Sequence, residues 1–471
     1  MAAPAVATTE PAAVAPTWWW LLTALLLLAA ITLGGSSRGS VGDAWVQALA
    51  LGVLTAQVAL PRLGNRQRRL LWVPLLLVLM LPLLHSLPIA VSGGATGALR
   101  AQLAIDLHLA GTVLVPQLSV HPLAAERALW SLLPALAMWV AVWRLGFRQR
   151  LWLLAVLLLM AIGSVLLGMA QLADGQQSTW RPYLPTNPND AVGLFANRNH
   201  LAALLVASLP VMIGAAAWFL QRHRRGSIHQ WLRGWALAGF SILLLLGIAL
   251  ARSRAGIVLG MLALLLCVPI LWQLRDRQRA GRLLFWMGLV ALVCTVQFGL
   301  FGILQRLEKD PLDDGRWEYA RVVSVAAAAT APLGSGIGTF TSVYPRYEAE
   351  TGAGPHDTII NHAHNDVLEL WLEAGWPFVV VCAAFVLWLA WLGARLWRGR
   401  LLSLPLEPLF VARLAFVSVL LLVAHSALDY PLRTTAMMTV FSMLLAQCSA
   451  LVLPPTPMPR LSFASFRNLD R

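Results

Sequence analysis

Twelve apolar runs, each about 17 to 23 residues long, constrain this chain more than any other feature. They lie near 17–34, 44–61, 70–91, 125–144, 151–172, 199–220, 234–251, 257–273, 283–304, 376–397, 407–428 and 434–454. A helix of that length crosses the ~30 Å hydrocarbon core of a bilayer, and no soluble core of this size could hide so many unbroken segments. The expected class is therefore all-α, a polytopic integral membrane protein with about twelve transmembrane helices and one long loop outside the membrane. The second and third runs are the least regular, because Pro74, Pro82 and Pro88 interrupt them. Only 12% of the 471 residues are charged, about half the share of a soluble domain, which agrees with this class.

The net charge of +14 does not point to nucleic acid. The basic charge is nearly all arginine, and most of it falls in short clusters between apolar runs. Such clusters are Arg62, Arg66, Arg68 and Arg69; Arg144, Arg148 and Arg150; Arg222, Arg224, Arg225 and Arg233; Arg275, Arg277, Arg279 and Arg282; Arg398 and Arg400. An even span count puts all of them on one face, the cytoplasmic one by the positive-inside rule, together with both termini. The chain then divides into a tail at 1–16, spans at 17–304, a long loop with short helices on the opposite face at 305–375, spans at 376–454 and a tail at 455–471. The opening lacks the basic start of a cleavable signal peptide. Cys267, Cys294, Cys382 and Cys448 all sit in apolar segments and read as small core hydrophobes, so neither a disulfide set nor a metal site is expected.

The opposite face collects the polar residues that carry chemistry. Asn361-His362-Ala363-His364-Asn365-Asp366 precedes a Leu-rich helical stretch. Asp366 with Glu369 three residues on predicts a capping box, and Gly375 with Pro377 predicts the helix stop. His362, His364 and Asn365 then stand at a helix N-terminus, which favours an anion, and a neutral histidine there takes a proton from a hydroxyl. Two other readings fit the same segment: histidines that only cap the loop, or a metal held by His362, His364 and Asp366. Arg252 and Arg254 flank Ser253 at the outer end of a span, where two guanidinium forks either bind phosphate oxygens or snorkel to headgroups. Positive charge on the outer face runs against the topology rule, which favours the phosphate reading. Arg316 is a third phosphate ligand or the partner of Asp314 or Glu318, with Tyr319 close by in the sequence. The glycine-rich segment Gly334-Ser335-Gly336-Ile337-Gly338 lacks the Gly-Lys-Ser/Thr end of a phosphate loop and serves close backbone approach. Asn197, Arg198, Asn199 and His200 either bind sugar or phosphate or cap the span they open. His425, Asp429 and Arg433 close the same face, and the loop at 92–124, with Asp106, His108 and His121, is a candidate acceptor selector. Arg413, inside a span, has no evident partner beyond snorkelling.

In order and spacing these motifs resemble the O-antigen ligase and O-antigen polymerase superfamily. The resemblance rests on Gly193-x-Phe195-x-Asn197-x-Asn199-His200, Ser253-Arg254-Ala255-Gly256, Asp314-Gly315-Arg316, Gly334-x-Gly336-x-Gly338-Thr339-Phe340, and His364-Asn365 before a helix ending at Gly375. It covers about half the chain. It implies a metal-independent, inverting glycosyltransferase of the bacterial inner membrane, without a cofactor, that takes a preassembled glycan from undecaprenyl diphosphate. The partners implied are that lipid-linked donor, membrane lipids, and a hydroxyl acceptor such as lipid A–core (a ligase) or a growing glycan (a polymerase). By position His364 is the base, with His362 a second candidate, and Arg254, Arg316 and Arg252 bind the leaving diphosphate. Protein O-oligosaccharyltransferases share the superfamily but often carry a longer C-terminal region. The competing class, a transporter, would place its charges near the bilayer midplane and not on one outer face.

Overall fold

The computed structural model describes residues 15–37, 39–60, 76–88, 94–109, 117–221, 228–274, 277–294, 296, 315–351, 360–398 and 406–452. The basic clusters at 62–69 and 222–225, the stretch 297–314 that includes Asp314, and both tails beyond 15 and 452 lie outside these residues, as do the side chains of Asp106 and Cys294.

The described chain is helical and contains no strand. Its helices are α1 (Thr17–Leu33), α2 (Val41–Ala56), α3 (Leu76–His85), α4 (Gly94–Leu109), α5 (Pro122–Arg144), α6 (Phe147–Asp174), α7 (Arg198–Gln221), α8 (Ile228–Leu250), α9 (Arg254–Leu271) and α10 (Arg277–Cys294). They continue with α11 (Gly315–Ala329), α12 (Phe340–Glu350), α13 (Asp366–Trp397), α14 (Leu406–Ser426) and α15 (Thr435–Val452). Among the described residues nine helices are long and apolar enough to cross a membrane, and shorter apolar helices at Thr17–Leu33, Leu76–His85 and Gly281–Val293 fall at three further expected spans. The protein is an all-α polytopic membrane protein.

Burial separates the helices by role. α7 packs against α8, α9 and α14, and α15 against α5 and α14. Of these, α7, α14 and α15 are buried along most of their length, whereas α6, α8 and α13 present Leu159, Leu166, Trp235, Val380 and Leu387 outward, as lipid-facing helices do. Arg413 is not a snorkelling residue. Its Nε and one NH2 group donate to the Leu396 carbonyl at 3.0 and 2.8 Å, another nitrogen donates to Gln273 Oε1, and its guanidinium lies over the Trp397 ring. It satisfies the exposed carbonyl end of α13 from a neighbouring helix.

The polar segment between α10 and α13 is a small folded unit. Val322, Val323, Ala326, Phe340, Val343, Tyr344, Ala363 and Leu372 form their own buried cluster, in which α11 packs on α12 and α13. Two glycines seat this unit on α13. Gly375 takes φ 56° and kinks α13, separating its first nine residues from the membrane-spanning remainder. Gly334, at φ 79°, faces it: a Cβ there would come within 2.5 Å of the Glu373 backbone, and one on Gly375 within 2.3 Å of the Pro332 carbonyl. Side chains at either position would force the two segments apart. The close approach lets Ser335 N and Gly336 N donate to the Leu372 and Glu373 carbonyls, while Trp376 N donates to Pro332 O. The backbone groups freed by the kink are thereby satisfied. The expected stop at Gly375 is a kink, and the glycine-rich segment is its receiver.

Candidate active site

The site begins with a cap. Asn365 Oδ1 accepts from Val367 N and Leu368 N at 3.0 and 3.1 Å, so Asn365, not Asp366, caps α13. The expected capping box is absent, and Asp366 and Glu369 turn inward, where both are buried. The physical reason is an arginine waiting there. Arg433 places two nitrogens 3.0 Å from Glu373 Oε2, with Asp366 Oδ1 and Glu369 Oε1 each at 3.5 Å. Three carboxylates spaced three and four apart lie on one face of a helix and meet one guanidinium. Burial opposes the charge on Arg433, but the three carboxylates outweigh it and hold the group protonated.

The loop before the cap carries two histidines, each with its own carboxylate. His362 Nδ1 lies 2.9 Å from Glu369 Oε1, whose other oxygen accepts from Ala363 N at 2.8 Å. His364 Nδ1 lies 3.2 Å from Asp429 Oδ1. An ionised carboxylate only accepts, so each histidine donates its Nδ1–H and keeps its lone pair on Nε2. His364 sits at φ 51°, the left-handed region, at a cost of about 1–2 kcal/mol for a side-chain-bearing residue. Such strain is characteristic of functional loops. Asn365 Nδ2, donating to Ala427 O at 2.9 Å, ties this loop to the turn between α14 and α15.

Asp429 is the junction of the site. Its Oδ1 also accepts from Tyr430 N, and its Oδ2 accepts from Asn199 Nδ2 and stands 3.5 Å from an Arg316 nitrogen. Burial pushes its carboxyl up, but the His364 hydrogen bond and the neighbouring positive charge prevail and hold it below the usual carboxylate range. Arg316 also donates to Leu428 O at 3.3 Å and keeps a third of its side chain exposed. Of its two expected partners, Asp314 and Glu318, the first lies outside the described residues; the Asp429 carboxylate that Arg316 reaches comes from the far end of the chain.

Tyr430 is the ring around which these groups gather. His362, His364 and His200 have ring centroids 4.4, 4.9 and 5.0 Å from it, and its hydroxyl accepts from Asn197 Nδ2 at 3.2 Å. Tyr319 stacks on the other partner, His364, at 5.9 Å. Asn197 Oδ1 accepts from Asn199 N and so caps α7 as well as reaching the site. Arg198 and Arg252 converge on Asp190, which carries the turn before α9 toward the start of α7. Arg254 is exposed in the first turn of α9, after Ser253, whose Oγ accepts from Gly256 N. His425 is fully buried, and neither ring nitrogen has a hydrogen-bond partner.

His364, Arg316, Tyr319, Asp429, Asn199, Asn197, His200 and His362 are thus brought together. Asn365 borders them as the cap, Arg433 serves the carboxylates of α13, and Arg198 and Arg252 form an adjoining pair. Among the described residues no cluster of three or more His, Cys, Asp or Glu side chains is placed to hold a metal ion. Sequence reasoning missed Tyr430, Asp190, Glu369 and Glu373. The spacing of Asp366, Glu369 and Glu373 was the available signal for the last two, since it fixes a carboxylate face.

No curated protein matches the chain. Residues 239–381 match the family model described as O-antigen ligase (Wzy_C), a segment that runs from α8 through the kink of α13 and contains Arg252, Arg254, Arg316, His362 and His364. This match covers under a third of the chain and, on a multi-pass helical scaffold, supports a likeness to the O-antigen ligase and polymerase superfamily of glycosyltransferase-like membrane enzymes.

Proposed function

We propose that the protein is an O-antigen ligase-type glycosyltransferase. It moves a preassembled glycan from undecaprenyl diphosphate to a hydroxyl on an acceptor such as lipid A–core, at the periplasmic face of the bacterial inner membrane. The observation that carries this reading is the line Arg316–Asp429–His364: a cation and a base joined through one buried carboxylate. Asp429 fixes the tautomer that leaves His364 Nε2 able to accept a proton. His364 Nε2 takes the acceptor hydroxyl proton as that oxygen bonds to the anomeric carbon. The bond from the anomeric carbon to the diphosphate oxygen breaks on the opposite side, so the configuration inverts. Negative charge grows on the departing diphosphate, and preorganised guanidinium groups stabilise that change; Arg316, Arg254 and Arg252 are assigned this role. The arginines supply the countercharge, so the mechanism calls for no metal.

His364 is preferred to His362 as base because 29% of its side chain is exposed against 13%. In this reading 305–375 is the periplasmic catalytic unit, held between the spans of 17–304 and 376–454, with the tails 1–16 and 455–471 in the cytoplasm.

The test uses purified protein without added metal, undecaprenyl-diphosphate-linked glycan, and parallel reactions with and without lipid A–core. Product formed only with lipid A–core supports the ligase. Longer glycans formed without it establish a polymerase with the same chemistry. No product in either reaction rejects both and leaves a protein acceptor or a transporter. Cysteine labelling that puts Arg254 and His364 on opposite membrane faces also rejects the transferase.

A further inference from the structure

Beside the proposed reaction centre lies a cavity of about 180 Å³, with Tyr430 as the wall they share. Its lining includes Tyr183, Thr186, Asn197, His200 and Asn361, and reaches the turn that follows α1. Among the described residues none that lines it is Asp, Glu, Lys or Arg. That composition is wrong for a diphosphate, which needs cations. Hydroxyls, amides and two tyrosine rings suit a ligand that is uncharged, ringed and covered in hydroxyl groups.

His200 makes the strongest case. It is 1% exposed, lines the cavity, and has no hydrogen-bond partner on either ring nitrogen among the described residues. A buried polar group left unpaired is costly and rare. Both nitrogens are closed off from the cavity as the ring stands, and a turn of the imidazole toward the cavity would let a ligand hydroxyl supply the missing partner. The volume is below the ~300 Å³ of sites for drug-sized ligands, which limits the occupant to a single ring.

We infer that this cavity is a subsite for one uncharged sugar ring, positioned by His200, Asn197 and Asn361 against Tyr430 and Tyr183. The inference rests on the transferase reading for its source: the ring is either the first sugar of the donor or the terminal sugar of the acceptor. Except for Asn361, the residues named lie outside the 239–381 family match, so sugar preference is set by a part of the chain separate from that segment.

The test measures binding of methyl glycosides of glucose, galactose and N-acetylglucosamine to the full-length protein in nanodiscs, by saturation-transfer NMR. The wild type should show saturable binding of at least one glycoside. His200→Leu and Thr186→Phe should each weaken it at least tenfold, with thermal unfolding unchanged or, for His200→Leu, raised. Thr186 is exposed at the rim, so its variant decides the matter alone if His200→Leu does not fold. No saturable binding to the wild type, or undiminished binding to a folded variant, overturns the subsite. In transfer assays with Thr186→Phe, a raised KM for the acceptor alone assigns the ring to the acceptor, and a raised KM for the donor alone to the donor. Glycoside binding without transfer from any lipid-linked donor would sink the transferase and leave the subsite standing.

Discussion

The two histidine–carboxylate pairs that flank Tyr430 have the same chemistry and different surroundings. His364–Asp429 spans 3.2 Å, and His362–Glu369 spans 2.9 Å. Asp429 shares its charge with Arg316, which is one-third exposed, while Glu369 shares its charge with Arg433, which is boxed in by Asp366 and Glu373. The first pair opens toward solvent and a substrate. The second is closed, and its shorter bond holds the 361–365 loop onto α13. On the proposed reaction, access and not hydrogen-bond quality favours His364 as the base. A base in the closed pair would be oriented at least as well but could not reach an acceptor hydroxyl.

The largest effect should come from the open pair. His364→Ala should lower transfer by about 10²–10⁴-fold, the range for loss of a general base, with little change in thermal unfolding. His362→Ala should lower the unfolding temperature and cost less than tenfold in kcat. Rates at saturating donor and acceptor decide between them, and the reverse ranking would move the base to His362.

The closed pair should fail by unfolding. Arg433→Met leaves three buried carboxylates without their cation, a loss of about 3–5 kcal/mol. Arg316→Met removes a partly exposed cation and should leave the unfolding temperature nearly unchanged while lowering kcat by about 10²–10³-fold, as loss of a charge-stabilising donor does. A destabilised Arg316→Met with normal turnover would erase the distinction between the two arginines.

Asp429 gives the comparison a pH dependence. Its folded-state pKa lies below the unfolded value of about 3.9, so its stabilisation is fully present above that value and disappears as pH falls through the folded one. Asp429→Asn should therefore be less stable than wild type at neutral pH, and the gap should narrow on acidification below about pH 4. Denaturant titrations at pH 7 and pH 3 would show it, and a gap independent of pH would remove Asp429 as the ionised junction.

Hydropathy made the scaffold legible because apolar length is a property of each segment taken alone. Motif order also picked out segments that the fold brings together, His364 with Asp429, Arg316 and Asn199. Pairing was not legible. Arg316 meets Asp429 across more than a hundred residues, and no local rule prefers that partner to Asp314 two positions away. Asp366 was read as a cap because the residue type favours that place, but its neighbour Asn365 caps equally well and leaves Asp366 free to face Arg433. Arg413 had no evident partner because a helix-end carbonyl carries no side-chain signature. Tyr430 was hidden in a short turn, where nothing in the sequence says that three histidines will surround it.

Tyr430→Phe is the finest test, since it keeps the ring that both pairs touch and removes only the hydroxyl. The bond from Asn197 is lost, at about 1 kcal/mol. Both histidine contacts are made by the ring and survive. If Tyr430 serves the open pair as a wall for substrate, kcat should hold and KM should rise a few-fold, because Asn197 is no longer fixed at the sugar cavity. If the hydroxyl instead orients His364, kcat should fall with KM unchanged. Steady-state kinetics in both substrates separate these outcomes, and Tyr430→Ala, which removes the shared wall as well, should be worse than Tyr430→Phe in either case.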